Sequence, residues 1–348
     1  MPPKLLFVPV SGAFGMGEYA RCLNLAQAFA VRRPDAQIHF LLSAQAPYAK
    51  ELPFESTVLP SSPTFHTPQV RELIQQMRPD IVVFDNAGRT AQLEAARGSG
   101  AKVVFISARH RQRRKAFRWR WMRMLDEHWI AYPEFIAGPP SSLERLKLHW
   151  LKRPQIRFLN CLLPTIAAEE EAALFAAAGA KPGQYVLVVP GGGTGHPGAG
   201  DAVDVFFQAA REIASHGIPV IFVAPCIRAP HGNPICLDLM PLANLIALMR
   251  GAKAMLTNGG GTLIQAIGCH AATVSVPIAR DQAGRIALCA GRGLTRSTEL
   301  DAAGMTLAVL GLLEDAAGRD QLRSNARALS LQDATRTAID ALDGLLPR

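Results

Sequence analysis

Short apolar runs and amphipathic stretches alternate along this chain. Lys4–Val10 is an apolar run closed by Ser11-Gly12, and it predicts a strand. Gly17–Arg32 follows with apolar residues at Cys22, Leu25, Ala26 and Phe29, a spacing that gathers them on one face of a helix. Gln37–Leu42 predicts a strand and Val70–Met77 a helix. Asp80–Phe84 and Lys102–Ile106 are runs of Val, Ile and Phe that predict two more strands. Runs without polar alternation suit strands covered on both faces, as in a parallel sheet flanked by helices.

The alternation then begins again. Strands are predicted at Tyr185–Val189, Pro219–Val223, Ala254–Thr257 and Thr273–Val276. Helices are predicted at about Asp201–His216, Leu242–Arg250, Thr262–Cys269 and Gln282–Gly291. Two rounds of βαβ alternation predict an α/β chain of two doubly wound, Rossmann-like domains facing a cleft. The boundary is expected near Arg157–Pro164, before a helix opened by Glu169, Glu170 and Glu171, acids that a helix N-terminus favours. The halves are then residues 1–160 and 161–330. Residues 331–348 hold a last amphipathic helix, Asp333–Leu346, expected to pack back across the junction.

A length of 348 residues suits two domains, and 49% apolar with 19% charged residues is a globular composition. No apolar run reaches the roughly 18 residues of a membrane span. The opening segment reads as a strand and not as an export signal, so a cytoplasmic location is expected. The six cysteines form no C-x-x-C pair and suggest neither a metal site nor a disulfide framework. The net charge of +9 is concentrated. Eight cations and no acid lie between Arg109 and Arg123, and removing those eight leaves +1 for the rest of the chain.

Ligands of doubly wound sheets bind beyond the carboxyl ends of the strands. Four loops there carry unusual residues. Ser11–Glu18 has glycines at 12, 15 and 17, spaced G-x-x-G-x-G and so unlike the dinucleotide fingerprint. It reads either as a ligand loop or as a tight turn with Glu18 favoured by the helix dipole. Gly191–His196 joins four glycines to Thr194 and His196. Its backbone N–H groups suit a diphosphate, and it lacks the ending of a nucleoside-triphosphate P-loop. Thr257–Gln265 runs through Asn258, Gly259, Gly260 and Gly261 into a helix carrying Thr262 and Gln265. Pro277–Gln282 ends in Asp281 and Gln282, which suit a polyhydroxylated ligand, or Asp281 simply caps its helix. Together the loops suit a phosphate-bearing ligand held by helix starts without a metal.

The stretch Met240–Leu294 resembles the donor-binding region of GT-B glycosyltransferases, and is most similar there to the UDP-N-acetylglucosamine transferase that makes lipid II. Gly15-Met16-Gly17-Glu18-Tyr19-Ala20-Arg21-Cys22-Leu23 is similar to a G-x-G-H-x-x-R-x-L motif of the UDP-sugar hydrolase of pseudaminic acid synthesis and related transferases. Arg78–Asp85 resembles the same group's R-P-D strand. The resemblance implies a UDP-sugar donor held mainly by the second half, as a substrate and with no cofactor. Gly192, Gly193 and Thr194 would lie at the diphosphate or the acceptor side, and the backbone near Leu239 and Met240 would meet the base. Gly260, Gly261 and Thr262 would meet the phosphates, Gln265 the ribose, Asp281 and Gln282 the sugar, and Asn258 would belong to the same donor site. Gly15, Gly17 and His196 would lie on the acceptor side. Two departures stand out. Gln265 replaces the family's Glu and lacks its charge assistance. Glu18 replaces the motif's His. A carboxylate can serve as general base, so Glu18 is the first candidate and Asp85 the second.

Arg109–Met124 interleaves cations with aromatics. Arg113, Arg114, Arg118, Trp119 and Trp121 suggest an anionic membrane surface or a lipid-phosphate acceptor, at the inner face of the membrane. A basic helix packing its aromatics on the core is the plain alternative. Nucleic acid is the less favoured partner, since no nucleic-acid module is visible. The function expected is transfer of a sugar from a UDP-sugar to a hydroxyl acceptor, lipid-linked or membrane-proximal, metal-independent and inverting, for the cell envelope. The rivals are a nucleotide-sugar hydrolase or epimerase, and a non-catalytic nucleotide-sugar-binding protein.

Overall fold

The computed structural model describes residues 2–12, 16–46, 52–191, 202–224 and 232–347. The chain divides into two compact units, Met1–Leu162 with Ala334–Arg348, and Leu163–Asp333.

The first unit is a seven-stranded parallel sheet. Its strands are β1 (Lys4–Pro9), β2 (Gln37–Ser43), β3 (Glu55–Leu59), β4 (Ile81–Asp85), β5 (Lys102–Ser107), β6 (Glu127–Ile130) and β7 (Gln155–Phe158), in the order 3-2-1-4-5-6-7. β4 is buried along its whole length, as its unbroken apolar run requires. Helix α1 (Gly17–Arg32) buries Tyr19, Cys22, Leu25, Ala26 and Phe29, the stripe its periodicity predicts. Next come α2 (Thr67–Met77), α3 (Thr90–Gly98), α4 (His110–Ala116), α5 (Trp119–Met124), α6 (Glu134–Ala137) and α7 (Ser142–Leu151). The basic segment is therefore two short helices.

The second unit opens with α8 (Ala168–Ala177), whose three glutamates fill the first turn. Its six strands are β8 (Val186–Val189), β9 (Val220–Val223), β10 (Ile235–Leu237), β11 (Ala254–Asn258), β12 (Thr273–Val276) and β13 (Arg296–Ser297). They are all parallel, in the order 10-9-8-11-12-13. Between them run α9 (Ala202–Ser215), α10 (Leu242–Gly251), α11 (Gly261–Gly268) and α12 (Arg280–Ala290), followed by α13 (Ala302–Glu314) and α14 (Ala316–Leu329). Phe206, Ala210 and Ile213 of α9 and Met305 and Val309 of α13 share a core with β8, β9, β11 and β12.

The last helix, α15 (Ala334–Leu345), belongs to the first unit. It packs on α1, and Arg33 Nε donates to Asp343 Oδ1 at 2.7 Å. Among the described residues no helix is long and apolar enough to cross a membrane.

Candidate functional site

Each sheet has one place where its strand order reverses, between β1 and β4 in the first and between β8 and β11 in the second. In doubly wound sheets such a reversal is where the connections part to opposite faces and ligands bind at the strands' carboxyl ends. Glu18 and Asp85 lie at the first reversal, Asn258 and Gly191 at the second.

At the first reversal, Asp85 ends β4 fully buried. Its carboxylate accepts from Arg21 Nε at 2.7 Å and Nη2 at 2.8 Å, and the Cys22 thiol lies 3.8 Å away. Burial lifts the Asp85 carboxyl to about 6, a rise that Arg21 opposes. Both oxygens are thus engaged. Asp85 is placed as the anchor of Arg21 on α1, not as an open base. Asn86 follows with φ 51°, a left-handed conformation that Asn tolerates better than most residues. Its N–H bonds Ile106 O at 2.8 Å. Its Oδ1 accepts from the Ala108 N–H at 2.8 Å, which fixes the amide's orientation. Nδ2 then donates to Glu18 Oε1 at 2.8 Å. Glu18 sits in the first turn of α1, with the Arg109 guanidinium 3.8 Å from the same oxygen. Sequence reasoning missed Asn86. Its signal was a polar Asp-Asn pair at the carboxyl end of a buried strand. Gly17 precedes Glu18, and a Cβ there would meet nothing within 4 Å.

At the second reversal, Gly191, just after β8, lies against Asn258, the last residue of β11. Gly191 has φ 135°, and a Cβ on it would fall 2.3 Å from Asn258 Nδ2, so only glycine fits. Asn258 Oδ1 accepts from the Gly260 N–H at 2.8 Å and shapes the entry to α11. A Cβ on Gly259 would strike Ile286 at 2.7 Å, whereas one on Gly261 would stand in open space. Gly261 therefore leaves the first turn of α11, with its unpaired N–H groups, open to a ligand. Thr262 and Gln265 are half-buried on the same helix.

Gln282, which the resemblance sets against the sugar, has backbone partners on its amide oxygen. Its side chain is buried, and its Oε1 accepts from Gly259 N at 3.2 Å and Ile278 N at 3.0 Å. Gln282 thus pins the loop after β11 to the loop after β12. Arg285, unnoticed in the sequence, bonds Gly259 O and reaches Asp281 Oδ2 at 3.1 Å. Asp281 is exposed and spends its charge on Arg285 rather than capping α12. Leu239 and Met240 follow β10, the edge strand two places from β8, and Leu239 is exposed. Gly15, Gly192, Gly193, Thr194 and His196 lie outside the described residues. Among the described residues no group of three His, Cys, Asp or Glu side chains is arranged to hold a metal ion.

The basic segment needs correction. Arg113 is buried, and its guanidinium donates to Ala137 O, Gly138 O and Pro139 O at 2.6–2.9 Å. Trp121 is buried too, edge-on to Phe105, with Nε1 donating to Thr90 Oγ1 at 3.1 Å. Trp121 is a framework residue, and Arg113 spends its guanidinium on backbone carbonyls while lining one wall of a surface cavity. Arg114, Arg118 and Trp119 remain exposed.

No family model matches the chain, and no curated protein matches it. Solved structures do. The glycotransferase of kitacinnamycin is 16% identical and superposes over 100% of both chains with a TM-score of 0.64. A UDP-glucosyltransferase from Polygonum tinctorium is 15% identical, covering 99% of this chain and 98% of its own, with a TM-score of 0.66. A putative UDP-N-acetylglucosamine 2-epimerase from Listeria monocytogenes is 14% identical over 98% and 95%, with a TM-score of 0.58. Two parallel-sheet α/β units and full-length similarity of this kind give the chain a GT-B glycosyltransferase-like fold.

Proposed function

We propose that this chain is a glycosyltransferase that moves a sugar from a UDP-sugar to a hydroxyl acceptor, without a metal ion and with inversion at the anomeric carbon. The observation that carries the reading is the Glu18–Asn86 pair at the strand reversal of the first sheet. Asn86 and Arg109 both face Oε1, and among the described residues nothing holds Oε2. Oε2 takes the acceptor's proton as the acceptor oxygen bonds the anomeric carbon and the UDP bond breaks. The charge gathering on the departing diphosphate meets the N–H groups of Gly261 and Thr262 at the start of α11. Gly192, Gly193 and Thr194 extend that cradle in this reading. Gln265 meets the ribose as a neutral partner, and Leu239 and Met240 the base. No cofactor is needed, because the nucleotide-sugar is itself the substrate. The acceptor is lipid-linked or membrane-proximal, in keeping with the exposed cations of α4 and α5, and the enzyme works at the inner face of a membrane.

The test is Glu18→Gln. Turnover is expected to fall roughly 10²–10⁴-fold, with UDP binding by calorimetry unchanged. Unchanged turnover removes Glu18 as the base. Asn86→Leu is expected to lower turnover by about tenfold or more, the worth of one hydrogen bond to a charged group. Similarity to an epimerase favours a second reading, hydrolysis or epimerisation of the nucleotide-sugar itself. Donor incubated without acceptor separates the two: rapid stoichiometric conversion selects the second.

A further inference from the structure

Helix α7 has the opposite build from a helix packed on a core. It starts with a capping box: Ser141 Oγ accepts from Glu144 N at 3.3 Å, and Glu144 Oε2 accepts from Ser141 N at 2.8 Å. Polar bonds fasten it to the unit. Buried Arg113 of α4 grips the three carbonyls just before α7 and reaches Glu144 at 3.4 Å. Lys147 Nζ donates to Phe117 O at 3.1 Å. None of its residues is buried. The outward stripe is apolar instead. Leu143, Leu146 and Trp150, at i, i+3 and i+7, are 61%, 50% and 68% exposed. Trp150 lies 6.3 Å from the ring of exposed Trp119. Monomeric surfaces rarely group large apolar side chains in this way without a partner.

Beside the stripe is a cavity of about 950 Å³ lined by Arg111, Arg114, Arg118, Lys147 and Leu143. Its lining holds one acid, Glu144, already engaged by Arg113. Burial, and then the charges of Arg89, Arg118 and Arg111, lower the Lys115 ammonium to about 8. Positive charge gathers at this face because Arg111, Arg114, Arg118 and Lys147 all line the same cavity. Trp at an apolar–polar boundary, long cations with apolar stems and an apolar stripe are together what a headgroup layer accepts.

We propose that the face formed by α4, α5 and α7 docks on an anionic lipid bilayer, with Leu143, Leu146, Trp119 and Trp150 entering the interface and Arg111, Arg114 and Arg118 meeting lipid phosphates. The inference rests on the membrane-proximal reading above and deepens it. It does not involve Glu18, so the two fail separately.

All four tryptophans of the chain lie in the first unit. Trp121 and Trp129 are buried, and only Trp119 and Trp150 can report contact. The purified protein is mixed with phosphatidylcholine vesicles, and with vesicles that also contain phosphatidylglycerol. Emission and co-sedimentation are read at rising salt. Association with the anionic vesicles only, salt-sensitive and with a blue shift, is expected. The Arg111→Ser, Arg114→Ser, Arg118→Ser variant should lower partitioning by about fivefold per charge removed. The Leu146→Ser, Trp150→Ser variant should still associate at low salt and lose most of the blue shift. All five positions are exposed, so melting temperature and UDP binding serve as controls and should hold. Equal binding to neutral vesicles overturns the proposal, as does an unshifted emission at saturating anionic lipid. A single-stranded RNA oligonucleotide bound more tightly than the vesicles, and weakened by the same arginine changes, overturns it in favour of nucleic acid.

Discussion

His128 makes the first unit sensitive to acid, and the size of the effect follows from its surroundings. The ring lies fully buried in β6, edge-on to Phe117 at 5.2 Å, with Nε2 2.9 Å from Ser107 Oγ. Among the described residues Nδ1 has no partner. Burial, then the nearby charge of Arg113, lowers the imidazole to about 3. The folded protein therefore holds His128 neutral, while the unfolded chain protonates it near the ordinary value of about 6.5. Stability is fully present above that value. It is lost as pH falls from about 6.5 towards 3, because there the unfolded state binds one more proton. Two pH units of one unmatched proton are worth about 2.7 kcal/mol. His128→Phe keeps the ring contacts, loses the Ser107 bond and removes the titration. At pH 7 the variant should be weaker by about 1 kcal/mol, one net hydrogen bond. At pH 4.5 it should be the more stable of the two, by roughly 1–2 kcal/mol. Urea unfolding followed by tryptophan emission measures this in the relevant unit, since all four tryptophans are there. A wild-type-minus-variant difference that does not change between pH 7 and 4.5 refutes the argument.

Asp85→Ala should cost about 3–5 kcal/mol in the same assay, because it strands a mostly buried guanidinium. Asp85→Asn should cost less, since it can still accept from Arg21. Full stability of both variants with lost turnover would instead mark Asp85 as the base. Gly259 and Gly261, two residues apart, should behave in opposite ways. Gly259→Ala drives a methyl into Ile286 and should cost about 1–3 kcal/mol by thermal unfolding. Gly261→Ala enters open space and should leave melting unchanged, but should weaken UDP tenfold or more if a diphosphate sits on that backbone. Unchanged UDP affinity in Gly261→Ala rules out that placement.

The central strands were legible in the sequence because burial on both faces leaves no choice but apolar side chains. β1, β4, β5, β8, β11 and β12 all lie within a residue or two of where their runs predict them. The strands missed were of two kinds. β3, β7, β10 and β13 are edges, half-covered and short, so their sequences carry no run. β6 is fully buried, yet it begins with Glu127 and His128. Glu127 is tolerated there because Arg157 binds it at 2.8 and 3.0 Å and Trp129 Nε1 at 2.9 Å. That pairing spans about thirty residues of chain and leaves no local pattern. The site was legible to the same degree. Glycine clusters marked the loops, but spacing alone could not separate Gly259, which serves packing, from Gly261, which faces open space. Nor could it show that Gln282 and Arg113 satisfy backbone groups. Asn86 emerged only once β4 and α1 were side by side.

The chain leaves the first unit at Leu162 and returns to it at Ala334. The crossing points are stitched: Ala334 N donates to Cys161 O at 2.9 Å, and Leu163 N donates to Asp333 Oδ1 at 3.0 Å. The second unit is thus an insertion within the first. Order of synthesis and order of completion therefore differ. On the ribosome the second unit can close while α1 still waits for α15 to emerge and pack on it. Loss of the last dozen residues would injure the part of the protein made first.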